Sequence, residues 1–388
     1  MNGFPKTATA VLDPASGLAA LVEVLRAHGF QVIAPVARGG VISYDAVRDG
    51  DDLPTGVRTE QAPGHFRLTT DGSGTRFGWT PAADSWRRWF FPAEEELLRI
   101  RRTDGSFVVS RPEPPARPLA LLGARDCEVR GVAVLDRVLL EGEHPDPRYA
   151  ARRRDAFVVA VTCGVPADTC WCTSAGGGPH PEAGFDIRLT EVPGDAHRLV
   201  AEAGTERGAD VLAAVAARCA APEAGDADLA DCAAVAERAA AGMRRPVDAA
   251  TLPTLLAGAD RHPHWDDVAA RCLSCANCTL VCPTCFCVTI DDVTPLTDDG
   301  SPATESVRRQ QWASCFQLDH SNLGGRPVRS TTASRYRQWL THKLGTWQAQ
   351  FGTSGCVGCG RCTTWCPAGI DLPVEAALLA VPSEGDVA

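Results

Sequence analysis

Two short runs of cysteines with the same spacing constrain this chain more than any other feature of its sequence. Residues 272–282 and residues 356–366 both read C-x2-C-x2-C-x3-C, and a proline follows the fourth cysteine in each run. Spacings of two residues let three thiols of one loop converge on one group, whereas the fourth cysteine begins the next segment. The proline turns the chain away and removes one backbone donor. Each run therefore predicts a loop that is folded around a shared centre.

This spacing is the one that holds [4Fe–4S] clusters in bacterial ferredoxins, where the fourth cysteine of each run binds the other cluster. We therefore predict two [4Fe–4S] clusters with exchanged fourth ligands. The predicted ligands of cluster 1 are Cys272, Cys275, Cys278 and Cys366, and those of cluster 2 are Cys356, Cys359, Cys362 and Cys282. Zinc ribbons also use paired C-x2-C spacings, but two identical runs that each end in Cys-Pro fit zinc poorly.

Residues 283–355 separate the two runs, which is more than a compact ferredoxin contains between them. Apolar residues recur with helical spacing from Thr332 to Ala349, so a helix is expected there. This pattern favours a mostly helical, ferredoxin-like dicluster domain over residues 256–381. Paired clusters provide a path for electrons and not a substrate pocket, and the sequence shows no catalytic centre of its own.

A second group of cysteines belongs to a predicted strand–helix–strand unit. Residues 118–122 and 157–162 are apolar strand-like runs, and an amphipathic helix is expected between them over 129–140. The strand ends of such units face a ligand crevice. Four thiols gather at these ends, Cys127, Cys163, Cys170 and Cys172. They suit a third [4Fe–4S] cluster, a zinc ion or a cluster of reduced thiols without metal, in that order.

The remaining cysteines have no clear ligand role in the sequence. Cys219 and Cys232 lie among alanines and are expected to be small buried residues. Cys285, Cys287 and Cys315 either line the surroundings of the nearby cluster or are ordinary core thiols.

Four histidines are expected at the surface or in caps, namely His262, His264, His320 and His342. Four basic residues lie near the second run, namely Arg335, Arg337, Arg361 and Lys343. They either balance the negative charge of a cluster, bind an acidic partner or form a solvated face.

The fold class expected from these patterns is α+β, with a mixed α/β N-terminal domain over residues 1–255 and the dicluster domain after it. Within the first domain, residues 93–100 are predicted to be helical, with glutamates in the first turn. The alanine-rich stretch 195–248 is also predicted to be helical.

Composition and charge exclude several classes of protein. The chain has 388 residues, 17 cysteines and a formal net charge of −10, so a general nucleic-acid-binding surface is not expected. An odd number of cysteines in a long chain argues against a disulfide-stapled secreted scaffold and favours the cytoplasm. Neither a signal peptide nor a membrane span is expected, and no nucleotide-binding glycine motif is present.

Several blocks of sequence resemble the 4Fe-4S dicluster family that includes the beta subunits of cytosolic [NiFe] sulfhydrogenases and the A subunits of anaerobic sulfite reductases. The blocks cover roughly residues 118–190 and 262–374, about half of the chain. They include Gly-Ala-Arg-Asp-Cys127, Thr-Cys-Trp-Cys172-Thr-Ser-Ala-Gly-Gly-Gly, Cys282-Pro-Thr-Cys-Phe-Cys, Trp312-Ala-Ser-Cys and Tyr336-Arg-Gln-Trp-Leu-Thr-His-Lys.

The resemblance implies an electron-transfer subunit, most consistent with the hydrogenase branch, that connects a flavin- and NAD(P)H-binding subunit to a catalytic subunit. That catalytic subunit would carry a nickel–iron centre in the hydrogenase case and sirohaem in the sulfite reductase case. The resemblance also favours a third cluster at the N-terminal thiols. An alternative of another class is an interaction scaffold in which the clusters are only structural.

Overall fold

The computed structural model describes residues 8–113, 117–243, 247–298, 300–301 and 303–380. The strands are β1 (Thr9–Leu12), β2 (Gln31–Arg38), β3 (Val41–Ala46), β4 (Val57–Ala62), β5 (His65–Thr70), β6 (Glu94–Thr103), β7 (Ser106–Ser110), β8 (Leu119–Ala124), β9 (Phe157–Val161), β10 (Ile187–Val192), β11 (Arg198–Ala203), β12 (Val288–Val293), β13 (Glu305–Trp312), β14 (Asn322–Leu323) and β15 (Arg326–Pro327). 

The helices are α1 (Ser16–Ala27), α2 (Arg87–Phe90), α3 (Asp126–Leu139), α4 (Pro147–Arg153), α5 (Glu206–Cys219), α6 (Asp226–Ala241), α7 (Leu252–Gly258), α8 (His264–Arg271), α9 (Asn277–Leu280), α10 (Thr332–Thr341), α11 (Trp347–Phe351), α12 (Arg361–Thr364) and α13 (Leu372–Leu378). A 3-10 turn covers Gly50–Asp52, and a π-helical segment, His342–Thr346, joins α10 to α11.

A mixed seven-stranded sheet forms the centre of the N-terminal part, in the order β1-β11-β10-β9-β8-β2-β3. Four adjacent strands of this sheet, β2, β8, β9 and β10, are mutually parallel. Strands β8 and β9 are buried along their whole length, as expected for parallel strands that are covered on both faces. The strand–helix–strand unit predicted for residues 118–162 is present as β8, α3 and β9.

A second sheet joins strands from distant parts of the sequence, in the order β12-β13-β6-β7. The prediction of a helix over residues 93–100 is wrong, because this segment is strand β6. Glutamate, leucine and arginine have good helix propensity, but pairing with β13 and β7 overrides it. Cross-strand ion pairs support the strand, since Arg99 lies 3.1 Å from Glu305.

The alanine-rich stretch 195–248 is helical only in part. Helices α5 and α6 occupy most of it, but Arg198–Ala203 is strand β11. This strand pairs with both β1 and β10, and its inner residues Leu199, Val200 and Ala201 are fully buried. The place of β11 between two other strands therefore explains why local composition misjudges it.

Helices α7 to α13 lie in the C-terminal part, together with β12–β15. They pack around a second apolar core that contains Trp265, Val268, Trp339 and Leu340. The mixture of helices and strands confirms the α+β class. The division of the chain at residue 255 stays a prediction, and its outer limits at residues 1 and 381 lie outside the described residues.

A buried ion pair fixes the second cysteine run against the central sheet. Arg361 donates from Nη2 to Glu128 Oε1 at 2.8 Å, and both side chains are at most 1% exposed. Glu128, in the first turn of α3, also accepts from the Tyr44 hydroxyl at 2.7 Å and from the Trp86 indole at 3.1 Å. Arg361 donates from Nε to the Ala82 carbonyl at 3.0 Å. Several donors around one carboxylate offset the cost of burying it.

Replacement Glu128→Gln is expected to lower the free energy of unfolding by about 3–5 kcal/mol, because it leaves the Arg361 guanidinium buried without a counter-charge. Urea denaturation followed by circular dichroism measures this loss. The control is Asp45→Asn, which removes the exposed pair between Arg38 and Asp45 and is expected to cost about 0–1 kcal/mol. Equal effects of the two replacements would contradict the role given to the buried pair.

Candidate functional site

The four cysteines predicted to bind cluster 1 line one cavity: Cys272, Cys275, Cys278 and Cys366. The loop of the first run closes through left-handed backbone at Ser274 and Ala276. The Ser274 amide donates to Cys272 Sγ at 3.4 Å. Tyr336 also lines the cavity, and its buried hydroxyl has no hydrogen-bond partner among the described residues. A set of soft thiol ligands with a buried donor facing them fits an anionic iron–sulfur cluster.

The cysteines predicted to bind cluster 2 lie close enough to interact electrostatically. Burial raises the pKa of Cys356 to about 12, and the pKa of Cys362 is raised by burial and by the nearby thiols of Cys356, Cys359 and Cys282. Cys282 differs, because a hydrogen bond from the Cys285 thiol and the nearby Lys343 ammonium lower its pKa well below the usual range. Cys282 is therefore favoured as a thiolate, the form in which cysteine binds metal.

Lys343 is a buried cation beside this second set. It is 3% exposed, and its Nζ lies 3.4 Å from Cys282 Sγ while donating to Thr284 Oγ1 and the Gly355 carbonyl. It lies on the π-helical segment, and such segments are frequent at functional sites.

The alternative of a solvated face is wrong for three of the four cations near the second run, because Arg335, Arg361 and Lys343 are all buried.

The predicted third set of thiols also shares one cavity, formed at the carboxyl ends of β8 and β9. Its cysteines are Cys127, Cys163, Cys170 and Cys172. Burial raises the pKa of all four, that of Cys172 to about 12. Arg361 lines the same cavity, and its buried Nη1 has no hydrogen-bond partner within the described part of the chain. Thiols that share a cavity with this cation and its free N–H group fit an anionic cluster.

The second cysteine run contacts this third set directly, which sequence reasoning missed. Cys359 lines the third cavity, although its run predicts it as a ligand of cluster 2. The Trp171 amide donates to the Gly358 carbonyl at 2.8 Å, and the hydroxyls of Thr169 and Thr364 are 2.8 Å apart. In the sequence, the glycines on either side of Cys359 are the feature that could have indicated this contact. They allow the second run to approach the third set closely.

The assignment of individual ligands stays a prediction. Among the described residues, no three His, Cys, Asp or Glu side chains are close enough to hold a single metal ion. In a four-iron cube each thiolate binds its own iron, so its ligands are further apart than those of one ion.

No helix of the described residues is long and apolar enough to cross a membrane.

Comparison with known proteins confirms the family resemblance. Residues 271–370 match the family model of the 4Fe-4S dicluster domain, so the chain is an iron–sulfur protein of the dicluster class. It is 30% identical over 298 residues to the sulfhydrogenase 2 subunit beta of Pyrococcus furiosus. The alignment covers 74% of this chain and 79% of that relative, more than the half expected from sequence blocks alone. The chain belongs to the family of sulfhydrogenase beta subunits.

Replacement Gly358→Ala tests the contact between the second run and the third set. Gly358 has φ +68°, and a Cβ there would lie 2.5 Å from the Cys172 Cα. We expect a loss of about 2–6 kcal/mol in the free energy of unfolding, from backbone strain and overpacking together.

The matched control is Gly105→Ala, at a glycine with φ +77° and no atom within 4 Å of its added Cβ. It carries only the backbone strain, of order 1–3 kcal/mol. Urea denaturation of both variants gives the difference, and a difference of zero would show that the contact is not tight.

Proposed function

We propose that the chain is the iron–sulfur electron-transfer subunit of a heteromeric oxidoreductase, the beta subunit of a [NiFe] (sulf)hydrogenase. In this role it relays electrons between a flavin- and NAD(P)H-binding subunit and the catalytic subunit. The proposal rests on family membership and on one structural observation, the position of the second cysteine run between the other two thiol sets. When bound, [4Fe–4S] clusters supply one-electron transfer.

Two neighbouring cysteines of the second run face different sets. Cys362 lines the cavity of cluster 1, and Cys359 lines the cavity of the third set. A contiguous series from the first run through the second run to the N-terminal thiols supports a relay, since short separations favour electron transfer. In a scaffold whose clusters were only structural, the three sets would need no such contact.

The protein surroundings support a redox role as well. Buried cations and hydrogen-bond donors near a cluster tune its potential. Lys343 lies beside the second set, Arg361 between the second and third sets, and the Tyr336 hydroxyl beside the first. All 17 cysteines are free thiols, which supports a reducing compartment such as the cytoplasm.

Iron and acid-labile sulfide counts test the three predicted clusters. Anaerobically purified protein is expected to contain at least about twelve irons, and Cys356→Ala and Cys163→Ala should each remove about four. Cys219→Ser is the control, because Cys219 lies at the end of α5, its Sγ contacts the Ser16 carbonyl, and it lines neither thiol cavity. A protein that contains only zinc, or a Cys163→Ala variant with unchanged iron, would contradict the corresponding cluster.

Replacement Cys359→Ser separates a redox subunit from a scaffold. The complex purified with its partner subunits should still assemble, but electron transfer from NAD(P)H to the catalytic subunit should fall at least roughly tenfold. Co-purification and dye-coupled rates measure the two properties, again with Cys219→Ser as the control. Loss of assembly would favour the scaffold, and a sirohaem-containing partner would reassign the subunit to the sulfite reductase branch.

A further inference from the structure

A cavity of about 250 Å³ contains three cysteines that neither four-cysteine run uses. It is lined by Cys285, Cys287 and Cys315, together with His320 and His342. The cavity lies beside the second thiol set, because Lys343 lines it and also contacts Cys282. Three thiols and two imidazoles around one space are a ligand-rich group that the three predicted clusters leave unexplained.

The β12–β13 pair brings the three thiols together from separate parts of the chain. Cys285 and Cys287 come just before β12, and Cys315 follows β13. The two strands are antiparallel, and Val288 stands opposite Trp312 at that end. The pairing continues beyond the strands, since the Ala313 amide donates to the Cys287 carbonyl at 2.9 Å. The position of the thiols is thus fixed by a regular hairpin register.

His342 has the features of a metal ligand whose second nitrogen is fixed. It is the first residue of the π-helical segment. Its Nε2 bonds Gln350 Oε1 at 3.1 Å, and an amide oxygen can only accept, so Nε2 carries the proton. This leaves the Nδ1 lone pair for a ligand, which is how outer hydrogen bonds orient metal-binding imidazoles.

The walls of the cavity offer positive charge and free donors. Arg329 and Trp347 line it, as does Trp339, which also lines the cavity of cluster 1. The indole N–H groups of both tryptophans are buried and have no hydrogen-bond partner among the described residues. Buried donors of this kind need an acceptor, and the sulfurs of an anionic cluster are acceptors.

We propose that this cavity holds a fourth [4Fe–4S] cluster, with Cys285, Cys287 and Cys315 as three ligands and His342 as the fourth. Cys285 gives up the proton that it donates to Cys282 when the cluster binds, since cysteine binds metal as the thiolate. The site lies beside the second thiol set and adds a branch to the series of three. It goes beyond the proposed function and does not depend on which partner subunits the chain binds.

The test begins with iron and acid-labile sulfide counts on the full chain after anaerobic reconstitution. Wild-type protein should contain about sixteen irons, four more than three clusters supply. The double variant Cys287→Ala/Cys315→Ala should lose about four irons and four sulfides relative to wild type. A wild-type count of about twelve, or an unchanged count in a folded double variant, would overturn the proposal.

Single replacements identify the fourth ligand by electron paramagnetic resonance. His342→Cys should keep the iron count and shift the signal of one cluster, whereas His342→Ala should lose iron from that cluster. His320→Ala, the other imidazole of the cavity, is the matched control and should change neither. Equal behaviour of His342→Ala and wild type would overturn the assignment of His342.

The counts also separate this proposal from the proposed function. If the double variant keeps its iron while Cys356→Ala and Cys163→Ala each lose about four atoms, the fourth cluster fails alone. If none of these variants changes the count, the predicted clusters of the relay fail with it.

Discussion

The arrangement of the thiol sets depends on one buried ion pair, between Arg361 and Glu128. Arg361 lies inside the second cysteine run, and Glu128 lies in the first turn of α3, next to Cys127. The pair therefore joins the loop of predicted cluster 2 to the element that supplies the first thiol of the third set. A single charge on each side couples the central sheet to the C-terminal region, and the low local dielectric makes that coupling strong.

Around this pair, the cysteine loops are packed as closely as the backbone allows. Gly358 and Gly360 have positive φ and bring the second run against the turn from Thr169 to Cys172. The same packing excludes water from the thiols, which is why burial dominates their pKa values. Close approach and desolvation thus have one origin. Thiols that are shielded from water suit an iron–sulfur cluster better than a hydrated ion such as magnesium.

Features that depend on local spacing could be predicted from the sequence, and features that depend on distant partners could not. The two cysteine runs and the β8–α3–β9 unit are local patterns. The thiols predicted for cluster 1 line one cavity, and those of the third set line another. Strand β6 has the composition of a helix. It is a strand because it pairs with a segment far along the chain, since Glu305 is 206 positions from Arg99. For the same reason the sequence leaves three roles open for Lys343 and Arg361, since the thiols and the carboxylate that surround them belong to other segments.

The sheet that joins β6 and β7 to β12 and β13 can be completed only late in the synthesis of the chain. The β6–β7 hairpin leaves the ribosome long before β13, because Arg99 and Glu305 are 206 positions apart. At about 5–20 residues per second, the hairpin waits roughly 10–40 s for its partner strand. The N-terminal thiols are made in that interval, before the second cysteine run that closes over them. The third site is therefore completed only after the second cysteine run has been made.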